Sequence, residues 1–98
     1  MKTLNYAGDI SFDEVFSTNR SVIYESLIEA IDLNLASDNR DTVDIIKICI
    51  NQVDYNITLP KDKFISGLSS AIEYFKGFEE YEKCAKCLSL IKKMEGVI

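Results

Sequence analysis

The chain has 98 residues, of which 47% are hydrophobic and 28% charged, with one proline and four glycines. This length predicts one domain over residues 1–98, and the apolar content is high enough that part of it is expected in a subunit interface. The net charge of −5 comes from ten Asp/Glu against four Lys/Arg in residues 1–60 and six against seven in residues 61–98. Neither half has the basic footprint that phosphate contacts require, so we expect no nucleic-acid partner. The acidic half would instead favour a basic protein surface.

The sequence also bears on localisation. No run approaches the roughly 20 apolar residues that span a bilayer, and the first residues lack the apolar core of a signal peptide. Three cysteines without a secretion signal favour a reducing compartment. We therefore expect a cytoplasmic protein with no membrane partner.

The first helices are expected after a leader. Residues 1–10 read as a loose leader. Ser-Phe-Asp-Glu at 11–14 is a capping box, in which the serine oxygen accepts a backbone N–H of the first turn. Cap-type residues at 17–19 predict that this helix is short.

A longer helix is predicted from about Arg20 to Ala36, because apolar residues recur there at helical spacing. This apolar stripe consists of Tyr24, Leu27, Ile28, Ile31 and Leu35. Three acidic residues, Glu25, Glu29 and Asp32, lie on the other side of the helix and are expected to face water. They form a candidate acidic interaction face.

A β-hairpin is predicted next. Residues 42–50 are dense in β-branched side chains, and residues 53–59 alternate apolar with polar, with Asn51-Gln52 as the turn. In the first strand Ile46, Ile48 and Ile50 would share one face, and Val43, Ile45 and Cys49 the other. Both faces are largely apolar, so this strand is expected to be covered on both sides or to lie in an interface. Two strands alone are marginal in water, so the hairpin must pack on helices or extend its sheet with a second copy.

Two helices complete the predicted fold. Pro60 suits the first position of a helix, and Phe64, Leu68, Ile72 and Phe75 give a helical stripe to about Lys76. Gly77 marks a break, and a last helix is predicted from Phe78 to about Met94, ended by Gly96. The expected fold is α+β: a short helix and a long helix, a β-hairpin, then a C-terminal antiparallel helical hairpin, in the order α-α-β-β-α-α.

Cys84 and Cys87 form a Cys-x-x-Cys pair, which raises the question of metal or redox chemistry. Structural zinc needs four ligands, and the chain has no histidine. A redox pair normally lies at the start of a helix, whereas this pair lies in mid-helix. The favoured reading is cysteine as a small buried hydrophobe. A ligand- or metal-binding module built on Cys49, Cys84 and Cys87 is the alternative.

Catalytic constellations are not evident in the sequence. The lack of histidine removes Ser-His-Asp and Cys-His arrangements, and the four glycines are isolated, so no phosphate-binding loop is predicted. We therefore expect no enzyme, no catalytic residue, no metal ligand and no cofactor.

Residues 81–95, Tyr-Glu-Lys-Cys-Ala-Lys-Cys-Leu-Ser-Leu-Ile-Lys-Lys-Met-Glu, resemble the second helix of the UVR motif, a small antiparallel helical hairpin of excision-repair subunits and some Clp-type regulators. Tyr81-Glu82 matches its aromatic-acid start, Cys84-Ala85 its pair of small residues, and Ile91 and Met94 its apolar end. Leu88-Ser89 replaces its Arg-Asp pair. The resemblance covers about a third of the chain if residues 64–76 form the first helix. It implies a protein-protein contact element that sometimes pairs with another copy.

The stretches Ile-Glu-Tyr-Phe at 72–75 and Phe-Glu-Glu-Tyr-Glu-Lys-Cys-Ala at 78–85 are similar to small uncharacterised phage proteins, and the residue usage is typical of AT-rich genomes. The sequence thus favours a small acidic regulatory protein, phage-encoded, that self-associates and binds a host polymerase, nuclease or defence protein. DNA mimicry and an oligomer that captures a nucleotide are alternatives. The candidate contact residues are Tyr81, Cys84, Ala85, Leu88, Ile91, Ile46, Ile48, Glu25, Glu29 and Asp32.

Overall fold

A computed structural model describes residues 2–96 as a three-stranded sheet with helices packed on one face. The elements are β1 (Lys2–Tyr6), α1 (Phe12–Thr18), α2 (Arg20–Leu33), β2 (Thr42–Ile50), β3 (Val53–Pro60), α3 (Phe64–Gly77) and α4 (Tyr81–Met94), with a π-helical turn at Asn34–Asp38 and a 3-10 turn at Lys61–Lys63. The α+β class and the predicted order of helices, hairpin and C-terminal helix pair are confirmed. Within residues 2–96, no helix combines the length and apolar character needed to cross a bilayer.

The first strand was not expected from the sequence. Residues 2–6 pair in parallel with residues 46–50, so the segment read as a leader is an edge strand of the sheet. Its register places Leu4 beside Ile48 and Tyr6 beside Ile50, and both side chains pack against the core. Five residues with only two apolar side chains carry too little periodicity to predict a strand, and pairing with β2 stabilises it.

A β-bulge in β2 corrects the expectation that this strand is apolar on both faces. The register passes from Asp44 opposite Thr58 to Ile46 opposite Ile57, which leaves Ile45 without a partner. Because an extra residue reverses the alternation of side chains, the apolar residues on either side of the bulge reach the same face. The buried residues of β2 are Val43, Ile45, Ile46, Ile48 and Ile50. The apolar run therefore fills one core and requires no second covering layer.

The outer face of the sheet is polar. In register across the three strands it carries Thr3, Asn5, Asp44, Lys47, Cys49, Asp54, Asn56 and Thr58. Lys47 and Asp54 form an exposed ion pair of 3.7 Å on this face. Cys49 therefore lies on the outer face, opposite the side on which the helices pack.

The helices close the core over the inner face. α2 packs on β2, and α3 and α4 pack on each other and on α2. The fully buried side chains include Val15, Ile31, Phe64, Leu68, Phe75, Cys87 and Leu90. Ser11 caps α1 as expected, its hydroxyl oxygen accepting the backbone N–H of Glu14 at 3.2 Å. The α-helix of α2 ends at Leu33 rather than Ala36, because the chain widens into the π-helical turn.

Two asparagine side chains form hydrogen bonds that hold loops against the helices and the sheet. Asn34 is buried, and its amide group donates to the carbonyl of Arg40 and accepts the N–H of the same residue, at 3.1 and 2.7 Å. Asn51 pairs in the same way with both peptide groups of Gly8, at 2.9 Å each. Its backbone N–H also donates to the carbonyl of Tyr6, at 2.9 Å. The hairpin turn is thereby attached to the end of β1.

Candidate protein interaction surfaces

Large apolar side chains remain exposed at several places on the described surface. They are Leu33, Val53, Tyr55, Ile65, Phe78, Tyr81 and Leu88. Phe78 and Tyr81 flank the connection between α3 and α4, and Val53 and Tyr55 lie on β3. These two places, the acidic corner (residues 78–82) and the β3 edge (residues 53–60), are the most prominent.

The backbone of the acidic corner follows a Schellman motif. The N–H of Glu80 donates to the carbonyl of Phe75 at 3.0 Å, and the N–H of Glu79 donates to that of Lys76 at 3.1 Å. Glu79 takes the left-handed conformation, with φ 59°, at the position that most often holds glycine. α3 ends at Gly77, where the break is expected, and the left-handed residue of the turn is Glu79, two positions later. The last helix begins at Tyr81 rather than Phe78 because this turn occupies three residues.

Aromatic rings connect the corner to the core. The ring centroids of Tyr24 and Tyr74 are 5.2 Å apart, and those of Tyr74 and Phe78 are 5.1 Å apart. The buried ring of Phe75 packs edge-on against Tyr74. Phe78, at the outer end of this series, is 65% exposed, and Tyr81 is 62% exposed. The corner thus presents large apolar side chains from a supported position.

The charge of the corner is negative. Glu79 and Glu82 are exposed, and Glu80 is half-buried. The Nζ of Lys83 donates to Glu25 at 2.6 Å and to Glu80 at 2.9 Å, and lies 4.9 Å from the centroid of Phe75. The hydrogen bond to Glu25, followed by that to Glu80, raises the pKa of Lys83. The ammonium group of Lys83 is therefore held between Glu25 of α2 and Glu80, and the carboxylates of Glu79 and Glu82 remain exposed at the corner.

The acidic face predicted on α2 is partly consumed by contacts within the chain. Glu25 pairs with Lys83, and Asp32 pairs with Lys86 at 3.1 Å, while their side chains stay 43% and 41% exposed. Glu29 is exposed between them. All three acidic side chains are therefore accessible to water, and two of them are also paired with lysines of α4, which the helix periodicity did not reveal.

The predicted contact residues of α4 fall into two groups. Tyr81, Ala85 and Leu88 are exposed at i, i+4 and i+7, which places them on one stripe of the helix. Ile91 is buried, and Cys84 is half-buried with its Sγ donating to the carbonyl of Ile72 at 3.5 Å. Only the first group is accessible to another molecule.

The two isoleucines expected at an interface are inaccessible. Ile46 and Ile48 are both 0% exposed within the chain's own core. The expectation rested on a strand with two apolar faces, and the bulge at Ile45 removes that premise.

The three cysteines do not form a cluster. Cys49 lies on the outer face of the sheet, whereas Cys84 and Cys87 belong to α4 on the inner side. Across residues 2–96 no three His, Cys, Asp or Glu side chains are placed to bind a metal together. Burial, with a smaller effect from Cys84, raises the pKa of Cys87 to about 11, so this side chain is a thiol at neutral pH. Desolvation and a hydrogen bond with Asp54 raise the pKa of Cys49 as well.

A surface groove of about 310 Å³ lies between α2 and the sheet. Its charged lining is Lys2, Glu25, Glu29 and Asp44. The carboxylates of Glu25 and Glu29 on α2 outnumber the one ammonium group, that of Lys2, and disfavour a phosphate-bearing ligand, because anion sites need a positive potential. This groove gives no support to nucleotide capture.

Comparison with known proteins found no matching family model, no similar curated protein and no similar solved structure. The resemblance to the UVR motif stays a prediction. The helix pair of α3 and α4 does form the hairpin that the resemblance implies, with only Cys84 of the small pair at the helix contact.

Proposed function

We propose that this chain is a small protein-binding protein without enzymatic activity. It binds another protein through its acidic corner, and it also self-associates. The observation that carries the proposal is the exposure of Phe78 and Tyr81, 65% and 62%, at a helix corner rimmed by carboxylates. Large aromatic side chains are enriched among the residues that dominate binding energy at protein interfaces. Exposed apolar area costs free energy in water, so two largely exposed aromatic side chains at one corner mark a candidate binding site.

The chemistry of the corner specifies the kind of partner. Glu79 and Glu82 are exposed beside the two aromatic side chains, and Lys83 is engaged by Glu25 and Glu80. A complementary surface would offer an apolar pocket flanked by lysine or arginine. Opposite charges at the rim mainly accelerate association, whereas the buried aromatic groups slow dissociation.

A regulatory role follows from this proposal. A chain of 98 residues with an acidic net charge can block a basic surface without carrying out chemistry of its own. We include in the proposal the phage origin indicated by residue usage, with a host polymerase, nuclease or defence protein as partner.

The test compares variants of the corner with a matched surface control. Phe78→Ser with Tyr81→Ser removes both aromatic groups, and Leu33→Ser removes another exposed apolar side chain far along α2. After capture of a partner from host extract, calorimetric titration of that purified partner should give about 100-fold weaker binding for the double variant. The Leu33→Ser control should bind like wild type.

Salt dependence provides the second readout. Affinity of the wild-type chain should fall between low and physiological salt, and Glu79→Gln with Glu82→Gln should reduce that dependence. Wild-type affinity in the aromatic double variant, or an equal loss in Leu33→Ser, would contradict a binding site at the corner.

A further inference from the structure

We propose that β3 pairs with β3 of a second copy, antiparallel and in a register centred on Asn56, to join two three-stranded sheets into one of six strands. This inference deepens the self-association in the proposed function and assigns it a surface distinct from the acidic corner. It rests on the free backbone of an edge strand, on a self-complementary order of side chains and on apolar side chains left exposed beside that edge.

The backbone groups that face outward from β3 follow from the hairpin. β3 is an edge strand, since β2 lies between it and β1. Just beyond its end, the N–H of Lys61 donates to the carbonyl of Asp41, directed toward β2. Because peptide groups alternate in direction along a strand, odd-numbered residues of β3 bond to β2. The outward N–H and C=O groups therefore belong to Asp54, Asn56 and Thr58.

These three residues define a self-complementary ladder. With Asn56 opposite Asn56 of the second copy, Asp54 lies opposite Thr58 of that copy, and Thr58 opposite its Asp54. Each is a pair that exchanges two N–H···O bonds in an antiparallel ladder, so the interface would hold about six backbone hydrogen bonds. Pro60 has no N–H to donate at the next outward position, and this limits the ladder at both ends.

The side chains agree with this register on both faces. On the inner face Val53 would lie beside Leu59 of the second copy, and Tyr55 beside its Ile57. Val53 is 53% exposed and Tyr55 43% exposed within one chain, so pairing covers apolar area that nothing else in the described structure covers. On the outer face only polar side chains meet, and the asparagine amides lie opposite one another.

Charge places no obstacle in this register. Asp54 is the one charged residue of β3, and the register sets it opposite the hydroxyl of Thr58 rather than opposite its own copy. Edge strands that must avoid pairing usually carry lysine, a bulge or an inward-facing charge. In this sheet the bulge lies in central β2, and β3 keeps a regular run of eight residues.

The expected affinity is modest. Stable protein interfaces bury roughly 1,200–2,000 Å² in total, and a pair of short strands lies at the low end of this range. We therefore expect a dimer that forms at micromolar concentration.

The test places the same substitution on the two edges of the sheet. Asn56→Pro removes the central outward N–H while leaving the bonds from β3 to β2, because proline is tolerated where the N–H faces away from the sheet. Asn5→Pro is the matched control on β1. The carbonyl of Tyr6 is directed toward β2 by its bond from Asn51, so the peptide groups of Asn5 face outward.

Sedimentation equilibrium at concentrations up to about 100 µM should give a dimer for wild type and Asn5→Pro, and at least about 30-fold weaker association for Asn56→Pro. Circular dichroism should show that all three are folded. A wild-type monomer at the highest concentration, or Asn56→Pro as dimeric as wild type, would overturn the proposal, as would dissociation by Asn5→Pro.

A second variant serves if Asn56→Pro fails to fold. Asn56→Asp places a carboxylate opposite Lys47 within the chain and opposite its own copy across the interface. It should keep the fold, weaken the dimer about 10-fold at low salt, and regain affinity as salt is raised. Unchanged association at low salt would equally overturn the proposal.

The aromatic variants of the acidic corner should remain dimeric, so failure of the proposal for β3 is distinguishable from failure of the proposal for the acidic corner.

Discussion

Single residues in the left-handed backbone region set the corners of this fold. In the described chain these are Asn39, Asn51, Gln52 and Glu79, besides two glycines. Asparagine tolerates this region because its short side chain bonds locally, whereas glutamine and glutamate gain no such relief. The Asn-Gln turn was readable from the sequence. The turn at Glu79 was not readable from the sequence. Glycine is the residue expected in the left-handed conformation, so the prediction is placed at Gly77, whereas the residue that adopts this conformation is a glutamate.

Gln52 offers a direct test of this residue-scale strain. Asn51 and Gln52 both have positive φ, 49° and 70°, as in a type I′ turn, for which Asn-Gly is the favoured pair. Gln52→Gly should raise the free energy of unfolding by about 0.5–1 kcal/mol because glycine adopts this conformation without a steric penalty. Urea denaturation measures the change. Gln52→Ala keeps the strain and should give no gain, and equal stabilisation by both variants would contradict this explanation.

The elements show which patterns a sequence carries reliably. The apolar stripe of α2 predicted a helix, and the alternation in β3 predicted a strand, each with most of its end points, because each pattern reflects one buried face. In β2 the bulge at Ile45 places two runs of alternation on one face, which a strict period of two cannot reveal. The strand β1 forms by pairing with residues 44 positions away, so local pattern could not predict it.

Cys87 in α4 gives an element-scale prediction with a defined sign. Its pKa is about 11 in the folded chain against 9.0 for an ordinary thiol, because burial disfavours the thiolate. The unfolded chain therefore loses its proton first, and this contribution to stability is complete below pH 9 and lost as the pH rises to about 11. The loss should be at most about 3 kcal/mol.

The measurement is urea denaturation of matched variants between pH 8 and about pH 11, across the interval set by the two thiol pKa values. Cys87→Ala should be less stable at pH 8 because packing is lost, and should show a shallower decline with pH than wild type. Ile91→Val, a conservative truncation in the same helix, should keep the wild-type slope. If the free energy of unfolding fell with pH equally in Cys87→Ala and wild type, ionisation of the Cys87 thiol would be excluded as the cause of the decline.

At the scale of the whole molecule, the sequence identified α+β architecture and an apolar excess but not the location of that excess. It assigned interface roles to Ile46 and Ile48, which are buried in the core of the chain. It did not identify Phe78 and Val53 as exposed apolar residues. The reason is physical: periodicity tells which side of an element is apolar, whereas tertiary packing decides which apolar sides find partners. Of the predicted contact residues, Tyr81, Ala85, Leu88 and Glu29 are exposed.

The two proposed surfaces would act together in the dimer. Pairing through β3 leaves the acidic corner of each chain unused, so a dimer would present two partner-binding sites. Two linked sites raise the apparent affinity for a partner with repeated subunits, provided that the spacing matches. Self-association would then be part of the function.

Disulfide trapping tests directly whether two chains pair through β3 about Asn56. Antiparallel residues of a hydrogen-bonded pair have Cα atoms about 5.5 Å apart, within the range that a disulfide bridges. In a Cys49→Ser background, which removes the free thiol beside Asn5, mild oxidation of Asn56→Cys should give a covalent dimer whose peptide map contains the linkage between the two introduced cysteines. Asn5→Cys in the same background should stay monomeric under denaturing conditions. Failure of Asn56→Cys to cross-link at concentrations where wild type is dimeric would contradict the register, and the account of self-association with it.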